Sequence, residues 1–230
     1  PFLIVDVQRA GPSTGQATKC GQCELLQSRW GTHGDYQSIV LAPNSVQELF
    51  ELTIRAFNLA ETYRTPVVVL SDEIISHMHE NMIVPAHEQI EIVNRRKPKS
   101  GESKFFMMED VAPMPSVGKG HNVAVTGSTH DETGRRFTAD QRVHQRLVQV
   151  LVGKIMNKAA EIADYEAFNI ENCDVGVVSF GCTSRAVYET VGIAKERGIN
   201  VGFVRLKTVW PFPEKIVSDM AQRAKKIIVP

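Results

Sequence analysis

The sequence predicts an α/β protein built on parallel sheet. Three observations lead there. Short apolar runs of strand length, such as Phe2-Leu3-Ile4-Val5 and Val67-Val68-Val69-Leu70, recur along the chain. Segments of helical period separate them, and loops rich in glycine and hydroxyl residues follow the strands. Strands alternating with helices imply right-handed crossovers between parallel neighbours.

Residues 1–84 read as the first α/β unit. The run Phe2 to Val5 is expected as a buried parallel strand, followed by a glycine loop and a helical stretch from Gly21 to Arg29. A short strand, Ile39-Val40-Leu41, comes next. Ser45 with Glu48 three residues on forms a capping-box pattern, and Val46, Leu49, Phe50, Phe57 and Ala60 recur at helical spacing behind it. Pro66 introduces the strand Val67 to Leu70, whose carboxyl end carries Ser71-Asp72-Glu73. Over residues 85–120 the periodicity dissolves. Prolines at 85, 98, 113 and 115 and glycines at 101, 118 and 120 predict a connector, with Arg95-Arg96-Lys97 as a solvated basic face.

Residues 121–230 read as a second α/β unit. It is expected to open with a strand at Asn122-Val123-Ala124-Val125. A long helix follows, capped by Thr138 with Gln141 and buried along Val143, Leu147, Val150, Leu151, Ile155, Ala159 and Ile162. The order after that is strand (Val175 to Phe180), helix (Ser184 to Arg197, with Gly198 past its end), strand (Val201 to Leu206), helix, and strand (Ile227 to Val229).

Composition excludes several classes. The chain has 230 residues with Lys+Arg 26 and Asp+Glu 26, a formal net charge of +0, which argues against a nucleic-acid surface. No apolar stretch approaches the ~20 residues of a membrane span, and no leader pattern opens the chain. Four cysteines in this length suit a reducing, cytoplasmic setting. The opening at Pro1 inside a strand and the strand-like close at Ile227 to Pro230 lead us to expect a piece of a longer protein.

Candidate chemistry concentrates after the first strand, in Asp6-Val7-Gln8-Arg9-Ala10-Gly11-Pro12-Ser13-Thr14-Gly15-Gln16-Ala17-Thr18. Ligands of open α/β sheets sit outside the carboxyl ends of strands. Arg9 offers a planar fork matched to a carboxylate; Gly11 and Gly15 let the backbone turn; Ser13, Thr14 and Thr18 supply hydroxyls. The competing reading is a turn with a solvated arginine, in which Ser13 or Thr14 caps the next helix. Asp72 and Glu73 either work at the same rim or begin a helix, where acids favour the positive dipole end. His33, between glycines, either lines a pocket or fixes a turn. Cys20-Gly21-Gln22-Cys23 lacks a second ligand pair and is expected to hold no metal. His130-Asp131-Glu132 reads as a loop between units. Gly181-Cys182-Thr183-Ser184 is explained by a tight turn and a cap, without the spacing of a phosphate loop.

The segment from Asp6 to Thr18 also resembles the VDVQR-x-GPSTG-x-x-T signature of 2-oxoacid:ferredoxin oxidoreductase alpha subunits. The likeness runs on through Leu25-Leu26-Gln27, Gly34-Asp35, Leu41-Ala42-Pro43, Phe57 to Glu61, Arg64 to Val67, Leu70 to Glu73 and His77-Met78. It resumes at Thr126 to Glu132, Val178 to Gly181, Leu206-Lys207-Thr208 and Trp210 to Pro213. The positions of Cys20 and Cys23 depart from that pattern. The resemblance implies a partial pyrimidine-binding domain for thiamine diphosphate over 1–84, a linker over 85–120, and a domain like the carboxyl-terminal domain of transketolases over 121–230. It implies that Arg9 and Thr18 help hold the substrate's carboxylate and oxo group; Gly11, Ser13, Thr14, Gly15, His33 and Asp72 are the residues that the reading of the loops assigns to the cofactor pocket.

The implied reaction is oxidative decarboxylation of a 2-oxoacid, 2-oxoglutarate in first place, to an acyl-coenzyme A and CO2 with reduction of ferredoxin. The resemblance places thiamine diphosphate and magnesium in a site shared with a beta subunit. Iron–sulfur clusters belong to partner subunits, gamma and delta among them. The pyrimidine-activating glutamate and a Tyr-Pro-Ile-Thr-Pro loop are expected upstream of Pro1, so this chain should hold no catalytic residue and be inactive alone. Pyruvate or a branched-chain 2-oxoacid as substrate, a transketolase-like or pyruvate-decarboxylating thiamine enzyme without ferredoxin, and a subunit-docking piece remain open alternatives.

Overall fold

The computed structural model describes residues 2–108 and 111–230. Pro1 and residues 109–110, the latter within the expected connector, lie outside the described residues. The first sheet is built from β1 (Leu3–Gln8), β2 (Ile39–Leu41) and β3 (Val67–Asp72), with helices α1 (Leu25–Trp30), α2 (Val46–Tyr63) and α3 (Glu73–His77) between and after them. Central β3 pairs parallel with β1, Leu3 opposite Val67 through Gln8 opposite Asp72, and parallel with β2, Ile39 opposite Val67. Val67 to Leu70 are all buried, as a strand covered on both faces requires.

The first strand departs from expectation. It is parallel but lies at the sheet edge, and Ile4, Val5 (59% exposed) and Val7 face solvent. An apolar run reports strand propensity; whether its faces are covered depends on neighbours that the run does not encode.

Helix α2 begins as its sequence dictates. Ser45 accepts from the Glu48 amide at 3.1 Å, while Glu48 Oε2 accepts from the Asn44 amide at 3.0 Å instead of closing the box on Ser45. Leu52, Ala56, Ala60 and Tyr63 bury one face of α2 against Ile39, Leu41, Val67 and Val69.

From Met78 to Asp140 the described residues contain one 3-10 turn (His87–Gln89) and no α-helix or strand longer than an isolated bridge. The expected strand at 122–125 is absent: Val125 is exposed, and without a neighbouring strand its backbone has no ladder to join. The basic run is not simply solvated either. Arg95 pairs with Glu61 of α2 at 2.6 Å and Arg96 with Glu102 at 3.9 Å. Arg64 donates to the carbonyls of Phe105 and Pro113, further pinning the connector.

The long helix divides into α4 (Gln141–Met156) and α5 (Ala159–Ile162). Its cap is Asp140, accepting from the Arg142 amide at 2.9 Å, in place of the expected Thr138. Ile155 and Ile162 are fully buried in the core of the first sheet, so residues 141–162 share that core although the sequence grouped them with the second.

The second sheet comprises β4 (Tyr165–Phe168), β5 (Val175–Phe180), β6 (Val201–Leu206) and β8 (Lys226–Ile228), in the order β4-β6-β5-β8, with α6 (Thr183–Glu196) and α7 (Glu214–Ala221). Strands β5, β6 and β8 are parallel; β4, which the sequence did not reveal, runs antiparallel to β6. A second unforeseen strand, β7 (Thr208–Trp210), leaves the second sheet after β6 and pairs antiparallel with β2 in the first. The sheets then share one core cluster, Val40, Val68 and Leu70 with Val178, Val204, Leu206, Val209 and Met220. Val177, Val187, Val201 and Phe203 fill the opposite face beneath α6. Between the sheets, buried Arg205 pairs with Glu48 of α2 and, at 3.1 Å, with Glu166.

Candidate functional site

The carboxyl ends of β1 and β3 lie side by side, Gln8 opposite Asp72. The loop after β1 closes on itself. Ala10 bridges Gln16, whose amide donates to the Ala10 carbonyl at 3.0 Å, and the Gly15 amide donates to Pro12 at 2.9 Å. Gly15 has φ +56, and a Cβ there would stand 1.6 Å from the Ala10 oxygen, so only glycine fits. Ser13 and Thr18 also take positive φ values, 54° and 60°.

Residues 11–20 are all exposed, so this loop presents its hydroxyls to solvent. Among the described residues the Arg9 guanidinium has no ion-pair or hydrogen-bond partner, while its amide donates to Glu24 Oε2 at 3.1 Å. Ser13 and Thr14 do not cap the following helix. That helix starts at Leu25, far along the chain, with Glu24 at its cap and no side-chain cap bond.

Asp72 does two things. Its Oδ1 accepts from the Ile75 amide at 3.0 Å, capping α3, as the helix-start reading expects. Its Oδ2 accepts from the Cys182 amide at 2.6 Å, at the amino end of α6 in the other sheet. That end is also held by Gln22, which receives a hydrogen bond from Thr183. The turn Gly181 to Ser184 thus has its Cys182 amide and Thr183 hydroxyl satisfied by Asp72 and Gln22, in keeping with a structural turn. Burial, followed by the hydrogen bond and charge of Asp72, pushes the Cys182 thiol up to about 12, leaving it protonated at neutral pH.

Other groups fall into place around this rim. Glu73 Oε2 lies 3.9 Å from the Cys20 sulfur. Burial, with Glu24 nearby, raises the Asp6 carboxyl above its ordinary value. Cys20 and Cys23 are exposed free thiols, and no group of three metal-ligating side chains occurs among the described residues. His33 is exposed on the loop after α1 without a hydrogen-bond partner among the described residues. The Arg29 guanidinium packs against both Trp30 and Trp210, 4.9 and 4.4 Å from their ring centres, while the two rings touch each other at 5.8 Å.

Two groups escaped the sequence reasoning. Gln8 is fully buried, and neither end of its amide has a hydrogen-bond partner among the described residues. This orphaned amide, at the carboxyl end of a strand and next to the exposed loop, keeps an unmet capacity to donate and to accept. Its presence within the quoted motif was the only available signal. Gln22 joins the loop to the second sheet, a role visible only in three dimensions.

Residues 1–149 match the family described as pyruvate flavodoxin/ferredoxin oxidoreductase, thiamine diphosphate-binding, and residues 173–230 match pyruvate:ferredoxin oxidoreductase core domain II. The chain is 44% identical to the 2-oxoglutarate synthase subunit KorA of Methanothermobacter marburgensis, over all of this chain and 62% of that protein. The corresponding subunit of Methanocaldococcus jannaschii gives the same 44% and 62%. The ketoisovalerate oxidoreductase subunit VorB of M. marburgensis is 31% identical over 96% of this chain and 56% of its own length. Among solved structures, the 2-oxoglutarate:ferredoxin oxidoreductase from Magnetococcus marinus, with 2-oxoglutarate, coenzyme A and succinyl-CoA bound, aligns with a TM-score of 0.88 and 30% identity. That alignment covers 99% of this chain and 41% of the other. The chain therefore spans about three-fifths of the length of the KorA subunits it matches. With matches that run through both sheets, this chain belongs to the pyruvate flavodoxin/ferredoxin oxidoreductase family.

Proposed function

We propose that this chain is part of the alpha subunit of a cytoplasmic 2-oxoglutarate:ferredoxin oxidoreductase and supplies the loop that binds the substrate's carboxylate. The observation that carries the reading is the unpartnered Arg9 guanidinium on an exposed loop at the carboxyl ends of β1 and β3. Arg9 would grip the carboxylate through a pair of charge-assisted hydrogen bonds, and the Thr18 hydroxyl, on the same loop, would donate to the oxo oxygen. Gly11, Ser13, Thr14 and Gly15 would shape the loop, and His33 would border the pocket.

Thiamine diphosphate fits this rim in part, because the buried amide of Gln8 lacks partners and can donate to and accept from a ring such as the pyrimidine. When bound, the cofactor supplies the carbon nucleophile and the electron sink for decarboxylation. Asp72, already held by two backbone amides, would act by fixing the pocket wall rather than by proton transfer. The magnesium and diphosphate site would be shared with a beta subunit. Iron–sulfur clusters on partner subunits, gamma and delta included, would carry two electrons to ferredoxin, and coenzyme A would accept the acyl group.

The substrate assignment leans on the higher identity to 2-oxoglutarate synthase subunits than to ketoisovalerate oxidoreductase subunits, 44% against 31%. Steady-state turnover of the native assembly, with coenzyme A and a low-potential dye, against a panel of 2-oxoacids tests it. We expect the highest kcat/KM for 2-oxoglutarate. Preference for pyruvate or a branched 2-oxoacid would reassign the substrate, and turnover that needs no electron acceptor would overturn the oxidoreductase reading.

A further inference from the structure

The loop carrying Arg9 and Thr18 does not stand alone at the end of the first sheet; it is hooked to the second. Gln22 uses both ends of its amide for this. Nε2 donates to the Phe180 carbonyl at 3.0 Å, and Oε1 accepts from the Thr183 hydroxyl at 3.2 Å. Beside it, fully buried Asp72 accepts from the Cys182 amide at 2.6 Å while its other oxygen is held by Ile75. Gly181 sits between them at φ +58, and a Cβ there would lie 2.7 Å from both Asp72 Oδ2 and Gln22 Nε2. Turn, carboxylate and amide are in close contact, with no slack for the turn to move independently.

The hook leads directly to Arg9. Gly21, the neighbour of Gln22, packs so tightly that a Cβ would lie 2.4 Å from the Ala10 nitrogen and 2.8 Å from the Arg9 carbonyl carbon. Glu24, two residues beyond Gln22, accepts from the Arg9 amide. A displacement of residues 21–24 therefore moves the backbone that carries the Arg9 side chain.

We propose that Gln22 and Thr183 form a latch through which the second sheet positions Arg9, making both positioning residues for substrate binding. The proposal rests on the reading of Arg9 as the carboxylate-binding group. The sheets do not need the latch to stay together, since they share an apolar core and the buried Arg205–Glu48 pair. Its loss should therefore be felt in the geometry of the loop and not in the stability of the fold. In this view the second sheet holds the substrate loop in a productive arrangement before substrate arrives, which lowers the ordering cost of binding.

The test uses the full-length subunit with its native partners, comparing Gln22→Ala, Thr183→Val, Thr183→Ser, Arg9→Ala and the Arg9→Ala/Gln22→Ala double variant. Each is measured for kcat, for KM with 2-oxoglutarate, and for Tm. Gln22→Ala and Thr183→Val should raise KM about three- to tenfold, the range of one lost hydrogen bond. Their kcat should stay within about twofold and Tm should be unchanged, because the latch acts on binding geometry. Thr183→Ser, which keeps the hydroxyl, should restore the wild-type KM. The double variant should be no worse than Arg9→Ala, because the latch acts through that residue. If Arg9→Ala is impaired but Gln22→Ala leaves KM unchanged, or the two losses multiply, or the latch variants lower Tm without raising KM, the latch is wrong while the reading of Arg9 stands. If Arg9→Ala itself retains full kcat/KM, both fall.

Discussion

Arg9 is half-buried, its guanidinium has no partner among the described residues, and it leads into a loop closed by its own hydrogen bonds. Its removal should therefore be expressed in function and hardly in stability. Arg9→Ala in the native assembly should lower kcat/KM about tenfold or more for each charge-assisted bond lost, at ~1.5–3 kcal/mol each. Arg9→Lys should recover little, because an ammonium cannot reproduce the planar fork. Steady-state kinetics decide, and an unimpaired alanine variant would remove Arg9 from the site. Lys154 behaves oppositely. Burial, with the nearby charge of Arg64, lowers its pKa from an ordinary 10.5 to about 8. Between those values the unfolded chain holds a proton that the folded chain has released, so this group makes stability rise with pH. Below about pH 8 the buried ammonium weighs against the fold. Lys154→Met removes the titration, so the urea midpoint of the variant relative to wild type should be higher at pH 7 than at pH 10. A difference that stays constant with pH would show that Lys154 is well solvated.

Among the elements, the apolar period of residues 143–162 locates a helix in the chain but not in space. Its apolar stripe announces that one face is buried but carries no address, because any apolar sheet face can receive it. The structure lays it on the first sheet, where Ile155 is fully buried beside Ile39 and Val67. Ile155→Ala should thus cost about 2–5 kcal/mol. Gln149→Ala, on the exposed side of the same helix, should stay within about 0.5 kcal/mol. Denaturant unfolding of the two variants checks this, and equal small effects would detach α4 from the core. Strands β4 and β7 were invisible for a related reason. With three or four residues each and antiparallel pairings, they gain their hydrogen bonds only from partners distant in sequence.

At the scale of the whole molecule, two sheets share an apolar core while the outer edge of the first remains unpaired. Strand β1 exposes Ile4, Val5 and Val7 on an unpaired edge, with Phe2 exposed just before it. Such an edge is a template for further strand pairing. The 230-residue chain should therefore self-associate in a concentration-dependent way in sedimentation velocity, and Val5→Lys should shift it towards monomer by placing a charge on the edge. A wild-type chain that stays monomeric across the range would contradict this. No helix among the described residues is long and apolar enough to cross a membrane.

The sequence by itself determined the α/β class, the positions of β2, β3, β5 and β6, the Ser45 cap of α2, and the loop from Arg9 to Thr18. Each of these is encoded within a few adjacent residues, through apolar period, capping chemistry or a contiguous motif. Only the tertiary structure decided that β1 is an exposed edge, that 122–125 is not a strand, and that β7, next in the chain after β6 of the second sheet, pairs in the first. It also revealed the orphaned amide of Gln8 and the contacts of Asp72 and Gln22 with the start of α6. Those features depend on which groups meet across large sequence separations, and a buried amide or carboxylate acquires its role from the donors that surround it.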